Sequence, residues 1–133
     1  MNYEAVLLKT VKSDPYPLGK MTLFVVYSQP AWRAFIEEFQ LTEQFSDIEV
    51  DWRESRVLVV SWFASHDELA GATLVLDKNT LKVHVDIEFG SLDVLDKDQT
   101  WVVMAAPAQA FAQEPKVIFE PENIGDKQVI LKK

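Results

Sequence analysis

Histidine and carboxylate side chains alternate along one short segment of the chain. His84, Asp86 and Glu88 occupy positions i, i+2 and i+4, and in a β-strand such positions share one face, about 7 Å apart. An imidazole and carboxylates so placed form a candidate metal site, and a nearby His66 would complete a set that suits iron or zinc. General acid–base catalysis by the same side chains is a further hypothesis. The favoured interpretation is a strand whose solvated face is simply polar.

The sequence lacks the common catalytic and cofactor-binding motifs. Its four glycines are far apart, so they form neither a dinucleotide fingerprint nor a phosphate-binding loop. Positions 65–67 read Ser-His-Asp, but a catalytic triad needs these residues to converge from separate segments. The chain has no cysteine, which excludes a thiol nucleophile and cysteine-ligated metals. We therefore predict no cofactor and favour a protein that is not an enzyme.

Acidic residues concentrate between positions 37 and 54. This segment contains seven carboxylates and one arginine, in a chain whose formal net charge is −8. Clustered charge of one sign attracts an oppositely charged partner and repels nucleic acid and anionic lipid. We therefore predict a docking surface for a basic protein, and no binding of nucleic acid or membrane. Its members are Glu43, Asp47, Glu49 and Asp51. The alternative is a solvated surface that only serves solubility.

The length of 133 residues is typical of one domain, and no linker or repeat divides it, so we predict a single domain over 1–133. The longest apolar runs are far shorter than the ~20 residues of a membrane span. The N-terminus shows no basic segment followed by an apolar run. We therefore expect a cytoplasmic protein in a bacterial setting.

One segment has the apolar spacing of a helix. Trp32, Phe35, Ile36 and Phe39 recur at i, i+3, i+4 and i+7, which places them in one stripe. Pro30 precedes them, and proline is favoured in the first turn of a helix. The spacing predicts an amphipathic helix over about 30–40 whose stripe packs on a sheet as part of the core.

The remaining periodicity is that of strands. The apolar run 56–63 predicts a central strand that is covered on both faces. Segments 73–76 and 81–89 predict a hairpin, and 116–119 and 128–131 a second, closing hairpin. Segment 47–52 alternates like an edge strand. The remaining predicted strands are 3–9, 21–27 and 100–105.

Taken together, these elements predict an α+β fold. Its mainly antiparallel sheet has the single amphipathic helix packed on one face. An edge strand of this sheet offers a route to a homo-oligomer.

From residue 25 to about 119, the order of features resembles the C-terminal domain of the PrcB family, which are bacterial accessory subunits of a protease complex. The matching pieces are VVYS at 25–28 before a helix with Trp32, VDW at 50–52 before the strand 57–61, GAT at 71–73, and the segment 101–107. The chain departs from the family at its Gly-Gly-aromatic turn, which here reads AGA at 70–72. The resemblance implies a non-catalytic domain that binds or stabilises a protein, and it assigns no site residue.

The sequence thus favours a non-enzymatic protein-interaction or accessory module. The alternative is a small-ligand or metal-binding module that uses the strand face of His84, Asp86 and Glu88.

Overall fold

Eight strands dominate the fold. The computed structural model describes residues 1–14, 18, 20–63, 68–88, 98–121 and 126–133, and at Glu68, Ala70, Glu88 and Pro121 it describes the backbone alone. The strands are β1 (Asn2–Ser13), β2 (Met21–Val26), β3 (Ser55–Phe63), β4 (Glu68–Asp77), β5 (Thr80–Glu88), β6 (Gln99–Pro107), β7 (Lys116–Pro121) and β8 (Lys127–Lys132). The helices are α1 (Gln29–Glu38), α2 (Thr42–Phe45) and a 3-10 helix (Ala108–Phe111).

The strands form one sheet that curls towards itself. Their order is β7-β5-β4-β1-β6-β3-β2-β8, and neighbours are antiparallel except for the pairs β5–β7 and β2–β8, which are parallel. The two end strands, β7 and β8, contact each other, and no strand ladder joins them in the described part of the chain. The result is a nearly closed, barrel-like sheet.

Strand β1 joins the two halves of this sheet. Its first residues, 2–5, pair with β4, whereas residues 6–13 pair with β6, and an irregularity between Leu7 and Lys9 shifts the second register. We call β4, β5, β7 and residues 2–5 of β1 the bare half. We call β2, β3, β6, β8 and residues 6–13 of β1 the covered half, because its outer face lies under α1 and α2.

Apolar side chains from both halves fill the concave side of the sheet. Leu58 and Met104 come from the covered half, and Leu74, Leu81 and Val83 from the bare half, and all five are fully buried in one cluster. Because the sheet curls towards itself, its two halves supply the two sides of this core. The inner core therefore needs no helical layer.

A second apolar cluster lies between the outer face of the covered half and the helices. Ser28 caps α1 by accepting a hydrogen bond from the Ala31 backbone N–H at 3.3 Å, as N-cap serines do. The predicted stripe is confirmed, since Trp32, Phe35, Ile36 and Phe39 are all buried. The stripe packs on β2, β3 and β6, where Phe24 and Trp101 contact its rings.

The predicted α+β class is wrong, because the chain is mostly β. Among the described residues, the helices are one of ten residues and two short segments of four. In an α+β fold, a layer of helices covers one face of an open sheet. Here the sheet curls until its own concave face forms a core, and α1 and α2 cover only half of the convex face. The apolar stripe of α1 marks a helix that covers part of the sheet, and it does not indicate a full helical layer.

Two local predictions also fail. Segments 116–119 and 128–131 are strands, but β7 pairs with β5 and β8 with β2, so they form no hairpin. Segment 47–52 is not an edge strand, because it follows α2 as an irregular stretch that runs between two turns to the start of β3. Other local predictions are confirmed. Residues 57–62 of β3 are buried on both faces, and β4 and β5 pair as a hairpin across Asp77 and Thr80.

The longest helix in the described ranges, α1, has ten residues. That is about half of what a bilayer crossing requires, so none of the described helices is of a kind that spans a membrane.

Candidate functional site

The histidine–carboxylate segment lies on the outer face of the bare half. His84 and Asp86 project from the same face of β5, as their spacing predicts, and His84 Nε2 lies 3.2 Å from Asp86 Oδ1. The side chain of Glu88 lies outside the described part of the structure, and so do residues 65–67 with His66. Within the described residues, no three histidine, aspartate or glutamate side chains are grouped to hold a metal ion.

The surroundings of His84 are polar and open to solvent. The strand register places His84 opposite Thr73 on one side and Glu120 on the other. The His84 side chain is 35% exposed and that of Asp86 63% exposed. An imidazole and a carboxylate in this setting form an ordinary surface pair. This geometry supplies two of the three or more ligands that a metal site needs.

The four acidic residues predicted to bind a partner lie along one stretch of the covered half, and we call Glu43, Asp47, Glu49 and Asp51 the acidic face. All four are exposed. Buried Leu41 and Phe45 fix this stretch on the outer apolar cluster, and the Trp52 indole N–H donates a hydrogen bond to Gln29 Oε1 at the start of α1. Apolar anchors thus hold the stretch in place while its carboxylates face solvent.

Lys9 of β1 links this strand to the acidic face through hydrogen bonds. Its Nζ donates hydrogen bonds to both carboxylate oxygens of Asp47, at 3.0 and 3.2 Å, and a third to the backbone carbonyl of Gln44. The side-chain hydrogen bond from Lys9 lowers the pKa of Asp47 below its ordinary value. Asp47 therefore stays ionised and also has a positional role.

Aspartate 51 organises the turn that leads into β3. Its carboxylate accepts hydrogen bonds from the Arg53 backbone N–H at 3.1 Å and from Arg53 Nε at 3.2 Å. The backbone hydrogen bond, followed by that of the side chain, lowers the pKa of Asp51. Its carbonyl accepts bonds from the N–H groups of Glu54 and Ser55. Asp51 is therefore partly neutralised and mainly structural.

The other two members of the acidic face remain as uncompensated charge. No ion pair to Glu43 or Glu49 is formed by the described residues, and neighbouring Glu54 is also exposed. Exposed charges of one sign interact with a partner over about a Debye length, ~10 Å at 0.1 M salt. The arrangement can therefore attract and orient a basic surface.

Sequence reasoning missed a further set of polar residues beside this face. Lys12, Asp14, Gln44 and Asp98 line a cavity of about 580 Å³ next to the end of α1. They come from β1 and its end, from α2 and from the start of β6, which are remote from one another in the chain. No local motif signals them, because only the pairing of β1 with β6 and the packing of α2 bring them together.

Comparisons with protein-family models, with curated proteins and with solved structures found no match to this chain. The resemblance to the PrcB accessory domain therefore stays a hypothesis that rests on sequence features alone.

Proposed function

We propose that this protein is a non-enzymatic protein-interaction or accessory module whose acidic face binds a basic partner protein. The observation that carries the proposal is the exposure of Glu43, Asp47, Glu49 and Asp51 on one firmly anchored stretch. Anchored charges lose little conformational freedom when a partner binds, and such loss is one of the main costs of association. The sequence adds support, since it contains none of the common catalytic motifs.

The acidic residues differ in their structural roles, and this difference indicates which of them to test. Asp47 and Asp51 already accept hydrogen bonds that hold the stretch together, so their replacement would disturb the fold as well as the charge. Glu43 and Glu49 of the acidic face and neighbouring Glu54 are exposed, and their side chains accept no hydrogen bond among the described contacts. These three glutamates are the residues through which charge and structure can be separated.

The test is a capture experiment from a bacterial lysate at low salt, followed by mass spectrometry. The baits are the wild type, the variant Glu43→Lys/Glu49→Lys/Glu54→Lys, and a control variant, Glu4→Lys/Asp77→Lys/Asp126→Lys, which changes the net charge equally at exposed sites elsewhere. The proposal predicts a basic protein that the wild type and the control capture and the first variant does not. Equal capture by all three would refute a role for the acidic face.

A small-ligand or metal-binding module on the face of His84, Asp86 and Glu88 is the second candidate. It is favoured by one contact, the 3.2 Å approach of His84 Nε2 to Asp86 Oδ1. Titration of the protein with Zn²⁺, followed by the nuclear magnetic resonance (NMR) signals of the His84 ring, tests it. Saturable shifts that His84→Ala abolishes would support a site, and their absence would remove this candidate.

Two further proposals concern assembly and partners. A homo-oligomer would form through an end strand of the sheet, β7 or β8, whose outer backbone edge has no ladder partner in the described structure. Light scattering across a range of concentrations tests it, since a monomer throughout would exclude the proposal.

We also propose that nucleic acid is not a partner, because a net charge of −8 repels it.

A further inference from the structure

The cavity beside α1 is open, polar and of a size that accommodates a ligand. We call it the α1 bowl, and its volume is about 580 Å³, within the range of roughly 300–1,000 Å³ that is typical of ligand pockets. Its wall includes Asp14 at the end of β1, Gln44 of α2 and Asp98 just before β6. The side chains of Phe39 and Trp101 form the adjacent apolar part of the wall.

The end of α1 adds negative potential to the bowl. Phe39 and Gln40, which follow the last turn of α1, line the bowl. A helix C-terminus carries partial negative charge, which basic residues of the last turn usually offset. The last turn of α1 contains no basic residue and ends in Glu37 and Glu38. Lys132 of β8 pairs with Glu38 at 3.1 Å, so the contribution of the helix to the bowl is the partial negative charge of its C-terminal carbonyls.

The described side chains in the wall include several hydrogen-bond acceptors. Asp14 and Asp98 contribute carboxylates, and the buried Gln44 Oε1 accepts no hydrogen bond from any described residue. The described lining also contains one cationic side chain, Lys12, which donates to Thr100 Oγ1 at 3.0 Å and whose charge the two carboxylates outnumber. The acceptors that a ligand can reach are the Asp14 and Asp98 carboxylates and the amide oxygen of exposed Gln40, so a ligand that brings N–H groups and positive charge suits this wall.

We propose that the α1 bowl is the anchor site for an arginine side chain of the partner protein, an inference that rests on the proposed function. A guanidinium presents five N–H donors in a rigid, planar fork, which matches acceptors that come from three separate elements better than the compact ammonium of lysine does. Arginine is also among the residues that most often anchor protein interfaces. The acidic face attracts the basic partner, and the bowl receives its central side chain.

The position of the bowl supports this assignment. Gln44 lines the bowl, and its backbone carbonyl and Asp47 of the acidic face share the Lys9 ammonium. Glu43 directly precedes Gln44 in α2. The bowl and the acidic face are therefore parts of one continuous surface, and a single basic partner can contact both.

The test needs no knowledge of the partner. N-acetyl-arginine amide is titrated into the intact protein, and binding is followed by NMR shifts of backbone amides and of the Trp101 indole N–H, which donates to Ser13 Oγ in the wall of the bowl. The comparison ligand is N-acetyl-citrulline amide, which has nearly the same shape without the charge. We expect saturable shifts around Ser13, Gln40 and Gln44 with the arginine compound and none with the citrulline compound.

Two matched variants locate the site. Asp14→Asn/Asp98→Asn removes two charges in the bowl with little change of shape, and Glu43→Gln/Glu49→Gln removes two on the acidic face. The bowl variant should weaken binding of the arginine compound by at least about tenfold, the size of one charged hydrogen bond. The face variant should change it less than about twofold. Both variants are conservative, and their amide spectra report directly whether they are folded.

Equal shifts with the two compounds, shifts confined to the acidic face, or unchanged affinity in the bowl variant would each overturn the inference. These outcomes are separate from the fate of the proposed function. The charge reversal of Glu43, Glu49 and Glu54 could abolish partner capture while the bowl shows no binding of the arginine compound. That combination would support the interaction module and refute only the anchor site.

Discussion

The two halves of the sheet meet solvent in different ways. In the covered half, β2, β3 and β6 are apolar on both faces, and α1 and α2 shield the outer one. In the bare half, β5 alternates, with Val83 and Val85 inside and Lys82 and His84 outside. Among the described side chains, none from β4, β5 or β7 belongs to the apolar cluster under the helices. A run of apolar residues in a strand thus predicts a covering element, and strict alternation predicts none.

The comparison also indicates where the two kinds of surface chemistry belong. The covered half carries the anchored acidic face and the α1 bowl, both of which depend on α2 for their position. The bare half carries a polar sheet surface with His84 and Asp86 in contact. Replacements in the covered half should therefore affect the acidic face and the α1 bowl, and replacements in the bare half should affect the polar sheet surface.

Loss of a ring beneath α1 should have the largest effect. Phe35 is 1% exposed and contacts the rings of Phe24, Trp32, Phe39 and Trp101. Phe35→Ala should lower the free energy of unfolding by about 3–5 kcal/mol, measured by urea titration, because it removes a buried ring and leaves a cavity. Lys82→Ala, on the exposed outer face of the bare half, is the matched control and should change it by about 0.5 kcal/mol or less. A loss under about 1 kcal/mol for Phe35→Ala would show that the helix layer is not packed.

Loss of a side chain inside the bare half should come next. Leu81 is fully buried in the inner core that both halves share. Leu81→Ala should cost about 2–5 kcal/mol in the same assay, although the outer face of its strand is solvated. A small, surface-like loss would mean that the bare half does not contribute to a common core, and the comparison of the halves would fail.

The lysine that joins α2 to β1 should have a small, pH-dependent effect. The pKa of Asp47 is lowered in the folded state by Lys9. The contribution of this carboxylate to stability is therefore present above the unfolded pKa, about 3.9, and is lost as the pH falls through the lower folded value. In Lys9→Met, an NMR titration should find the pKa of Asp47 closer to its ordinary value. An unchanged pKa would contradict the role assigned to Lys9.

Removal of metal ions should have the smallest effect. The inner core of apolar side chains suffices for a domain of this size without a metal. We expect a chelator to leave the melting temperature unchanged. A fall of more than about 5 °C, roughly 1 kcal/mol, would show that the fold depends on a bound metal ion and would contradict this expectation.

The local sequence pattern predicted the helices and strands better than it predicted which strands pair with each other. The stripe of α1 and the apolar run of β3 were predictable because helical spacing and continuous burial are local features of the sequence. The parallel pairing of β7 with β5 and of β8 with β2 was not, because the choice of a strand partner depends on packing over the whole sheet. The change of partner along β1 left no local signal for the same reason.

The candidate site likewise combines features that the sequence predicts and features that depend on the folded chain. Alternation in β5 correctly placed His84 and Asp86 on one face, and charge density marked the acidic residues that prove to be exposed. The structural roles of Asp47 and Asp51 were not predictable, because they depend on Lys9 and on a tight turn. The α1 bowl was missed because its lining residues meet only in the folded chain.

The most direct test of the account is the rate at which the captured partner associates with this protein at low and at high salt. The interaction module predicts slower association for Glu43→Lys/Glu49→Lys/Glu54→Lys than for the wild type or the Glu4, Asp77 and Asp126 control variant. High salt should slow the wild type much more than the triple variant, because the Debye length falls from ~10 Å at 0.1 M to ~3 Å at 1 M. Association rates that neither the charge reversal nor the salt alters would contradict the account, since the acidic face would then be only a solvated surface.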